Sequence, residues 1–190
     1  MSLFASVELA PRDPILGMTE AFNADPNPAK VNLGVGVYLD EHGKLPILQC
    51  VLAAEQQLAA APKPKGYLPI DGIAAYDRAV QELVFGADSA ALGAGRVATV
   101  QTLGGTGGLK VGADFLHGLN PRARVLISDP SWENHRALFT QAGFTVEAYP
   151  YHDATSHGVR FDAMLAALAA APAGPVVVLH ACCHNPPGRD

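Results

Sequence analysis

The chain has 190 residues, of which 49% are hydrophobic and 16% are charged, a balance typical of a globular protein that buries a core. A net charge of -5 without a run of Lys or Arg argues against a nucleic-acid partner, and no apolar stretch is long enough to span a membrane. The N-terminus lacks the basic segment of a signal peptide, and three cysteines without a Cys-x-x-Cys pair indicate neither a disulfide framework nor a zinc ribbon. We therefore expect a cytoplasmic protein of one domain, or of one domain and part of another.

The first 30 residues are rich in proline around one helical candidate, residues 15–23, and are typical of an extended arm. Such an arm either packs on a partner subunit or is a disordered terminus, and the sequence favours neither. Residues 31–39 form an apolar, strand-like segment that is interrupted by Gly34 and Gly36. Glycines in this setting indicate either a close approach of the backbone to a ligand or a bulge.

Two helices are predicted before the middle of the chain. Apolar residues of the segment 46–60 lie on one helical face, and Pro46 suits the first turn. After a break at residues 62–66, Tyr67 lies in a loop, and a helix follows over residues 73–85 with Gly86 as its stop. A single loop tyrosine is, by itself, more typical of packing than of binding.

The most informative stretch is residues 101–110, where the β-branched run 97–102 ends in a glycine-rich turn and a helix begins. Free N–H groups in the first helical turn favour a bound anion, and the Thr106 hydroxyl can donate one more hydrogen bond. A tight turn that needs a positive φ explains the same glycines equally well. The spacing fits neither the P-loop nor Gly-x-Gly-x-x-Gly, which favours a mononucleotide or a phosphorylated cofactor over a dinucleotide.

The second half of the chain alternates strands and helices with short connections, which predicts a largely parallel sheet covered by helices. The predicted elements are strands over residues 124–128, 144–149 and 175–181 and helices over residues 132–142 and 162–171. Ligands of such sheets bind outside the carboxyl ends of the strands. Three strand ends carry unusual residues: the glycine turn, residues 129–135 and residues 182–188.

Three side chains at these strand ends suit a flat ligand. Trp132, the only tryptophan, lies at a helix start where its ring can stack, and His135 lies on the same side of that helix. Asn185 precedes Pro186 in a stiff turn and can donate to a ligand oxygen. Taken singly, packing explains Trp132 more simply, and solvent exposure explains His135 more simply.

A metal site is not expected beside Asn185. His180, Cys182 and His184 share one face of the predicted strand. Same-face neighbours on a strand are ~6.6 Å apart, so the outer pair would be too far apart to share one tetrahedral ion.

Five motifs, in their order and spacing, resemble those of the aspartate and aromatic aminotransferases, which are pyridoxal-phosphate enzymes of fold type I. They are Leu33-Gly-Val-Gly-Val-Tyr38, Tyr67, Gly104-Gly-Thr-Gly107, Asp129-Pro-Ser-Trp-Glu-Asn-His135 and Cys182-Cys-His-Asn-Pro186. The resemblance covers essentially the whole chain, and residues 85–88, 97–103 and 158–162 look more like the aromatic branch.

The resemblance implies an α/β fold with three α-β-α layers and a mainly parallel sheet. Residues 1–45 would form an N-terminal arm and a segment of a small domain, and residues 46–190 would form the first part of the large cofactor-binding domain. The implied activity transfers an amino group between aspartate or aromatic amino acids and 2-oxoglutarate. The implied cofactor is pyridoxal 5'-phosphate, and the implied complete enzyme is a homodimer.

The resemblance also implies residues that bind the cofactor phosphate and the substrate. Gly105 and Thr106 would bind the phosphate, and Tyr67 would reach the phosphate bound in the neighbouring subunit. Gly36 would contact the substrate carboxylate through its backbone.

Around the cofactor ring, the resemblance implies three further roles. Trp132 would stack on the pyridine, His135 would support the acid that holds the pyridine nitrogen, and Asn185 would donate a hydrogen bond to the phenolic oxygen. The bonds Asp129–Pro130 and Asn185–Pro186 resemble positions that the family holds in the cis form.

Two features depart from the family pattern. Asn-Pro-Thr-Gly appears here as Asn185-Pro-Pro187-Gly188, which removes a hydroxyl and an N–H group and stiffens the turn. The Schiff-base lysine and the arginines for the substrate carboxylates lie downstream of Asp190 in the family, and Lys110, in the phosphate helix, is no substitute. We therefore expect the N-terminal portion of a transaminase, without activity by itself.

Two other interpretations stay open from the sequence. A mononucleotide-binding or methyltransferase-like α/β domain would use the same glycine turn, with Asp129 as the acceptor for a ribose. A non-catalytic fragment would act only by docking to another chain.

Overall fold

The computed structural model describes residues 4–8, 14–32, 34 and 36–189, and the chain forms two units, Met1–Lys65 and Gly66–Asp190. The first unit contains helices α1 (Pro14–Ala24) and α2 (Gln49–Ala60). Helix α1 confirms the helix predicted at residues 15–23. Helix α2 begins later than expected because Leu48 has an extended backbone, with φ -68° and ψ 132°.

The strand predicted over residues 31–39 is wrong for the part that the structure describes. Residues 31, 32, 34 and 36–39 form no strand, and Leu33 and Val35 lie outside the described residues. Val37 and Tyr38 are exposed. Strand-forming residues need a neighbouring strand for their backbone hydrogen bonds, and the first unit has none among its described residues.

The second unit contains a parallel sheet with helices on its faces. Its elements are α3 (Ala74–Phe85), α4 (Ala90–Gly93), α5 (Gly104–Leu119), β1 (Arg124–Asp129), α6 (Glu133–Gln141), β2 (Thr145–Pro150), β3 (His152–Asp153), β4 (Gly158–Val159), α7 (Phe161–Ala170) and β5 (Val176–Val177). The strand order is β2-β1-β5 with both pairings parallel, and β3 and β4 form a separate antiparallel pair. The alternating pattern of the second half therefore predicted the parallel sheet correctly.

Strand β1 lies in the middle of the sheet and is buried on both faces. Val125 and Ile127 pack on one face with Ala113 of α5, Phe139 of α6 and Phe144. On the other face, the side chain of the intervening Leu126 packs with Tyr149, Tyr151 and apolar residues of α7. Helices thus cover both faces, which gives the three α-β-α layers that were expected.

The end of α5 is fitted against the turn between α6 and β2. Gly143 has a φ of 101°, and a Cβ atom there would lie 2.8 Å from Nε2 of His117 on α5. The His117 ring also meets the Phe144 ring edge-to-face, with 5.0 Å between centroids. Position 143 therefore needs glycine both for its backbone conformation and for the absence of a side chain.

Two further strand predictions need correction. Residues 97–102 are extended but join no sheet; Gln101 N–H donates one hydrogen bond to the Asp71 carbonyl, at 2.9 Å. The strand predicted at residues 175–181 is reduced to Val176–Val177, because the chain leaves the ladder with β1 and bends at residues 181–183. No helix in the described part of the chain has the length and apolar character to cross a bilayer.

Candidate active site

The glycine turn forms an open helix N-terminus. Helix α5 begins at Gly104, which has a φ of 69°, and its N-cap residue Leu103 makes no side-chain hydrogen bond to the first turn. A Cβ atom on Gly105 would meet nothing within 4 Å, and Thr106 is exposed beside it. The tight-turn interpretation is confirmed at Gly104, which has a positive φ. Anion binding at Gly105 and Thr106 stays a prediction, for which the exposed helix start leaves room.

Trp132 and His135 meet at the start of α6. Trp132 is the N-cap residue of this helix, and its half-buried ring meets the His135 ring edge-to-face with 5.3 Å between centroids. His135 is only 6% exposed, and its Nδ1 lies 2.8 Å from the Ser131 hydroxyl. The explanation of His135 as a solvent-exposed helix residue is therefore wrong.

The environment of His135 favours the neutral imidazole. Burial, and after it the nearby His180, lower the pKa of His135 below its ordinary value of 6.5. The ring of His180 is 5.2 Å from that of His135, and its Nδ1 is buried with no hydrogen-bond partner in the described part of the chain. A neutral His135 held by Ser131 has a fixed orientation, as a residue that supports another group must have.

The residues that follow β5 continue this cluster. The ring centroids of His180 and His184 are 4.1 Å apart, and His184 Nε2 lies 2.8 Å from the Ser128 hydroxyl. The premise that His180 and His184 are held far apart on an extended strand is therefore wrong, because of the bends at residues 181–183. Cys182 is exposed. Within the described ranges, no three His, Cys, Asp or Glu residues are grouped so that they could hold a metal ion.

Asn185 lies in a turn that is fastened to the sheet. The His184 ring stacks on the Tyr151 ring at 4.0 Å with 15° between planes, and the Tyr151 hydroxyl donates to the Arg189 carbonyl at 2.8 Å. Gly188 N–H donates to the His184 carbonyl at 2.6 Å. Asn185 is exposed, so its amide can reach a ligand. The bonds Asp129–Pro130 and Asn185–Pro186 are both cis, as expected.

The last two candidate residues, Tyr67 and Gly36, are both exposed. Tyr67 is fully exposed, at 108%, and Gly36, in the first unit, is exposed with open space beside its Cα. Their roles toward a partner subunit and a substrate stay predictions. Lys110 forms an ion pair with Asp114 along α5, which agrees with its exclusion as a catalytic lysine.

Three residues of the cluster were missed from the sequence. Ser128 had a usable signal, since it is a polar residue that follows the apolar run of a predicted buried strand. Ser131 lies inside the motif around Trp132 but was not singled out. Tyr151 had no signal, because its contacts with residues 184 and 189 depend on the fold.

Comparisons with known proteins agree with this geometry. The family model "Aminotransferase class I and II" matches residues 28–190. The chain is 63% identical to an aspartate aminotransferase of Pseudomonas aeruginosa and 50% identical to an aromatic-amino-acid aminotransferase of Escherichia coli, over 100% and 99% of this chain but 48% of each relative.

A solved structure shows the same fold. The aromatic-amino-acid aminotransferase of Burkholderia pseudomallei, covalently bound to pyridoxal phosphate, matches with a TM-score of 0.93 and 67% identity, over 98% of this chain and 47% of that one. The present chain therefore belongs to the class I and II aminotransferases, which confirms the resemblance that the motifs indicated. It spans about half the length of the relatives it matches.

Proposed function

We propose that the complete protein, meaning the polypeptide that its gene encodes, is a pyridoxal-phosphate-dependent transaminase. Its substrates are aspartate or aromatic amino acids together with 2-oxoglutarate, and the residues described here form its N-terminal portion. The observation that carries the proposal is the open N-terminus of α5, together with Trp132 and His135 at the start of the helix that follows β1 and the exposed Asn185 in the segment after β5. The activities in the names of the two relatives support the choice of substrates.

The residues present fit this cofactor. A phosphate suits the N–H groups of Gly105 and Thr106, because no side chain caps them and the space where a Cβ atom of Gly105 would stand is open. A flat ring suits the half-buried indole of Trp132. Pyridoxal phosphate, when bound, supplies an electron sink for the bond that breaks at the amino-acid α-carbon.

The protein's own residues orient and polarise that group. Trp132 would stack on one face of the ring and exclude water there, and Asn185 would donate to the phenolic oxygen, which would favour its anionic form. His135, whose neutral form burial favours and which Ser131 contacts, would support the acid that holds the pyridine nitrogen. In the proposed complete protein, the imine-forming lysine comes from outside residues 1–190, and we expect these residues by themselves to have no turnover.

The proposal extends to assembly and domain organisation. The complete protein is a homodimer in which Tyr67, exposed in this chain, reaches the phosphate bound to the partner, and Gly36 contacts the substrate carboxylate. Residues 1–45 belong to the arm and small domain, and residues 46–190 belong to the large domain. The expected cytoplasmic location also stays a prediction.

The test uses the complete protein, purified with added pyridoxal phosphate. Bound cofactor should give visible absorbance that survives dialysis, and aspartate or tyrosine should convert 2-oxoglutarate to glutamate. Thermal stabilisation by a mononucleotide, without cofactor absorbance or amino transfer, would contradict the proposal and favour the nucleotide-binding alternative. Solution mass measurements test the dimer.

A further inference from the structure

Two buried residues that have no part in the function proposed above fasten the turn of residues 184–189. Ser128 is 2% exposed and Tyr151 is 9% exposed, and His184, which they both contact, is 3% exposed. We call Ser128, Tyr151 and His184 the clamp. Its members come from three places in the chain: β1, the residue that follows β2, and the segment after β5.

The clamp holds the turn at both of its ends. At the first end, Ser128 contacts His184 Nε2 at 2.8 Å, and the Tyr151 ring lies parallel to the imidazole at 4.0 Å. At the second end, the Tyr151 hydroxyl donates to the Arg189 carbonyl at 2.8 Å. Because β1 and β2 pair in register through Asp129 and Pro150, Ser128 and Tyr151, which follows Pro150, lie at the same end of the sheet.

The composition of the turn explains why side chains must hold it. Pro186 and Pro187 have no N–H group, so two of the backbone donors that usually close a turn are missing. Gly188 N–H supplies one closure, to the His184 carbonyl. The clamp adds two contacts from outside the turn, to the His184 ring and to the Arg189 carbonyl. Asn185 is exposed, so its direction depends on the backbone that carries it.

We propose that Ser128 and Tyr151 are positioning residues, which fix the turn through His184 and Arg189 and thereby aim the Asn185 amide at the phenolic oxygen of the cofactor. This inference rests on the function proposed above. A loosened turn should weaken that hydrogen bond without removing any group that touches the cofactor. A donor to the phenolic oxygen stabilises its anionic form, so loss of aim should raise the pKa of that oxygen.

The experiment is a spectral pH titration of the complete, cofactor-loaded protein. Tyr151→Phe removes the hydroxyl but keeps the stacked ring, and Ser128→Ala removes the contact with His184. Each should move the midpoint of the visible absorbance change upward, by about half a pH unit for a partly lost charge-assisted hydrogen bond. Asn185→Ala should shift it in the same direction and further.

The control is Thr99→Val, which also removes one hydroxyl from a part-buried hydrogen bond, the one that Thr99 accepts from Gln81 at 2.8 Å. It should leave the midpoint unchanged even where it lowers the melting temperature.

A double-mutant cycle tests whether the clamp acts through Asn185. If it does, Tyr151→Phe in the Asn185→Ala background should add no further shift of the midpoint.

Three outcomes would overturn the inference. Unchanged midpoints in folded Tyr151→Phe and Ser128→Ala proteins would show that the clamp only stabilises the fold. An equal shift with and without Asn185 would show another route. If the unsubstituted protein binds no cofactor, both the proposed function and the inference are wrong. The other two outcomes contradict the inference alone and do not affect the proposed function. If Ser128→Ala does not fold, the milder Tyr151→Phe still decides the question.

Discussion

Gly105→Ala should strengthen folding and weaken cofactor binding, which separates the two roles that a glycine at a helix start can have. A Cβ atom at position 105 meets nothing within 4 Å, and Gly105 lies in the first turn of α5 without the positive φ of Gly104. Alanine is therefore tolerated and should stabilise the cofactor-free protein by up to about 1 kcal/mol. The new methyl group, however, occupies the space through which an anion reaches the N–H groups of Gly105 and Thr106.

The expected loss of affinity follows from the contact at stake. A hydrogen bond to a charged group contributes about 1.5 to 3 kcal/mol, so losing one should raise the dissociation constant about 10- to 150-fold. Equilibrium dialysis followed by visible absorbance measures the affinity, and urea unfolding of the cofactor-free protein measures stability. Gly112→Ala is the matched control, since Gly112 lies in the same helix with equally open space but far from its N-terminus. If Gly105→Ala binds cofactor as tightly as Gly112→Ala, the glycine turn is not the phosphate site.

Three further predictions concern the complete protein and residues 1–190 by themselves. Trp132→Ala should weaken cofactor retention about 2- to 12-fold, from the roughly 0.5 to 1.5 kcal/mol of an aromatic stack, while the exposed Phe161→Ala should not; equal retention in dialysis would make the indole a packing group. Because the folded state lowers the pKa of His135 below 6.5, the unfolded chain binds the proton more readily, and the free energy of unfolding should fall as the pH drops below that value. Urea unfolding from about pH 7 to pH 5 measures this fall, and His135→Asn should make it less steep. An unaltered pH dependence in His135→Asn would assign the fall to other groups. Residues 1–190 by themselves should lack transaminase activity and should aggregate through apolar residues such as Leu58, whose exposed fraction is 71%. Mixing them with a fragment that begins after Asp190 should restore solubility, whereas a monomer with a cooperative melt and turnover would contradict the proposed function.

The sequence predicted the second unit well because its signals are local. The apolar run of β1 and the stop glycine Gly86 after α3 each depend on residues near one another in the chain, and both elements appear within a residue or two of their predicted bounds. The strands predicted at residues 31–39 and 97–102 failed for the opposite reason. A strand exists only where a second segment supplies hydrogen bonds, and composition does not report that partner.

The candidate site divides in the same way. Gly105, Thr106 and Trp132 could be predicted as candidates because motifs mark them as helix starts, and α5 and α6 do begin there. Tyr151 and Ser128 contact residues that lie 38 and 56 positions later in the chain. The apolar run before Ser128 marks it only as a polar residue near a strand end, and nothing near Tyr151 in the sequence marks its contacts. The spacing argument about His180 and His184 failed because the backbone between them bends.

The fit of Gly143 against His117 has a mechanical meaning for α5. The helix has 16 residues and is therefore about 24 Å long, with its last turn seated on Gly143 and Phe144 and its first turn open at Gly104. Ala113, near the middle of the helix, packs on β1, so both the middle and the C-terminal end of α5 are held while its N-terminal turn is open. A side chain at position 143 would push the C-terminal end of α5 away from its place. The resulting tilt of the helix would displace the glycine turn at its other end. The placement of a phosphate would then depend on a residue a whole helix away.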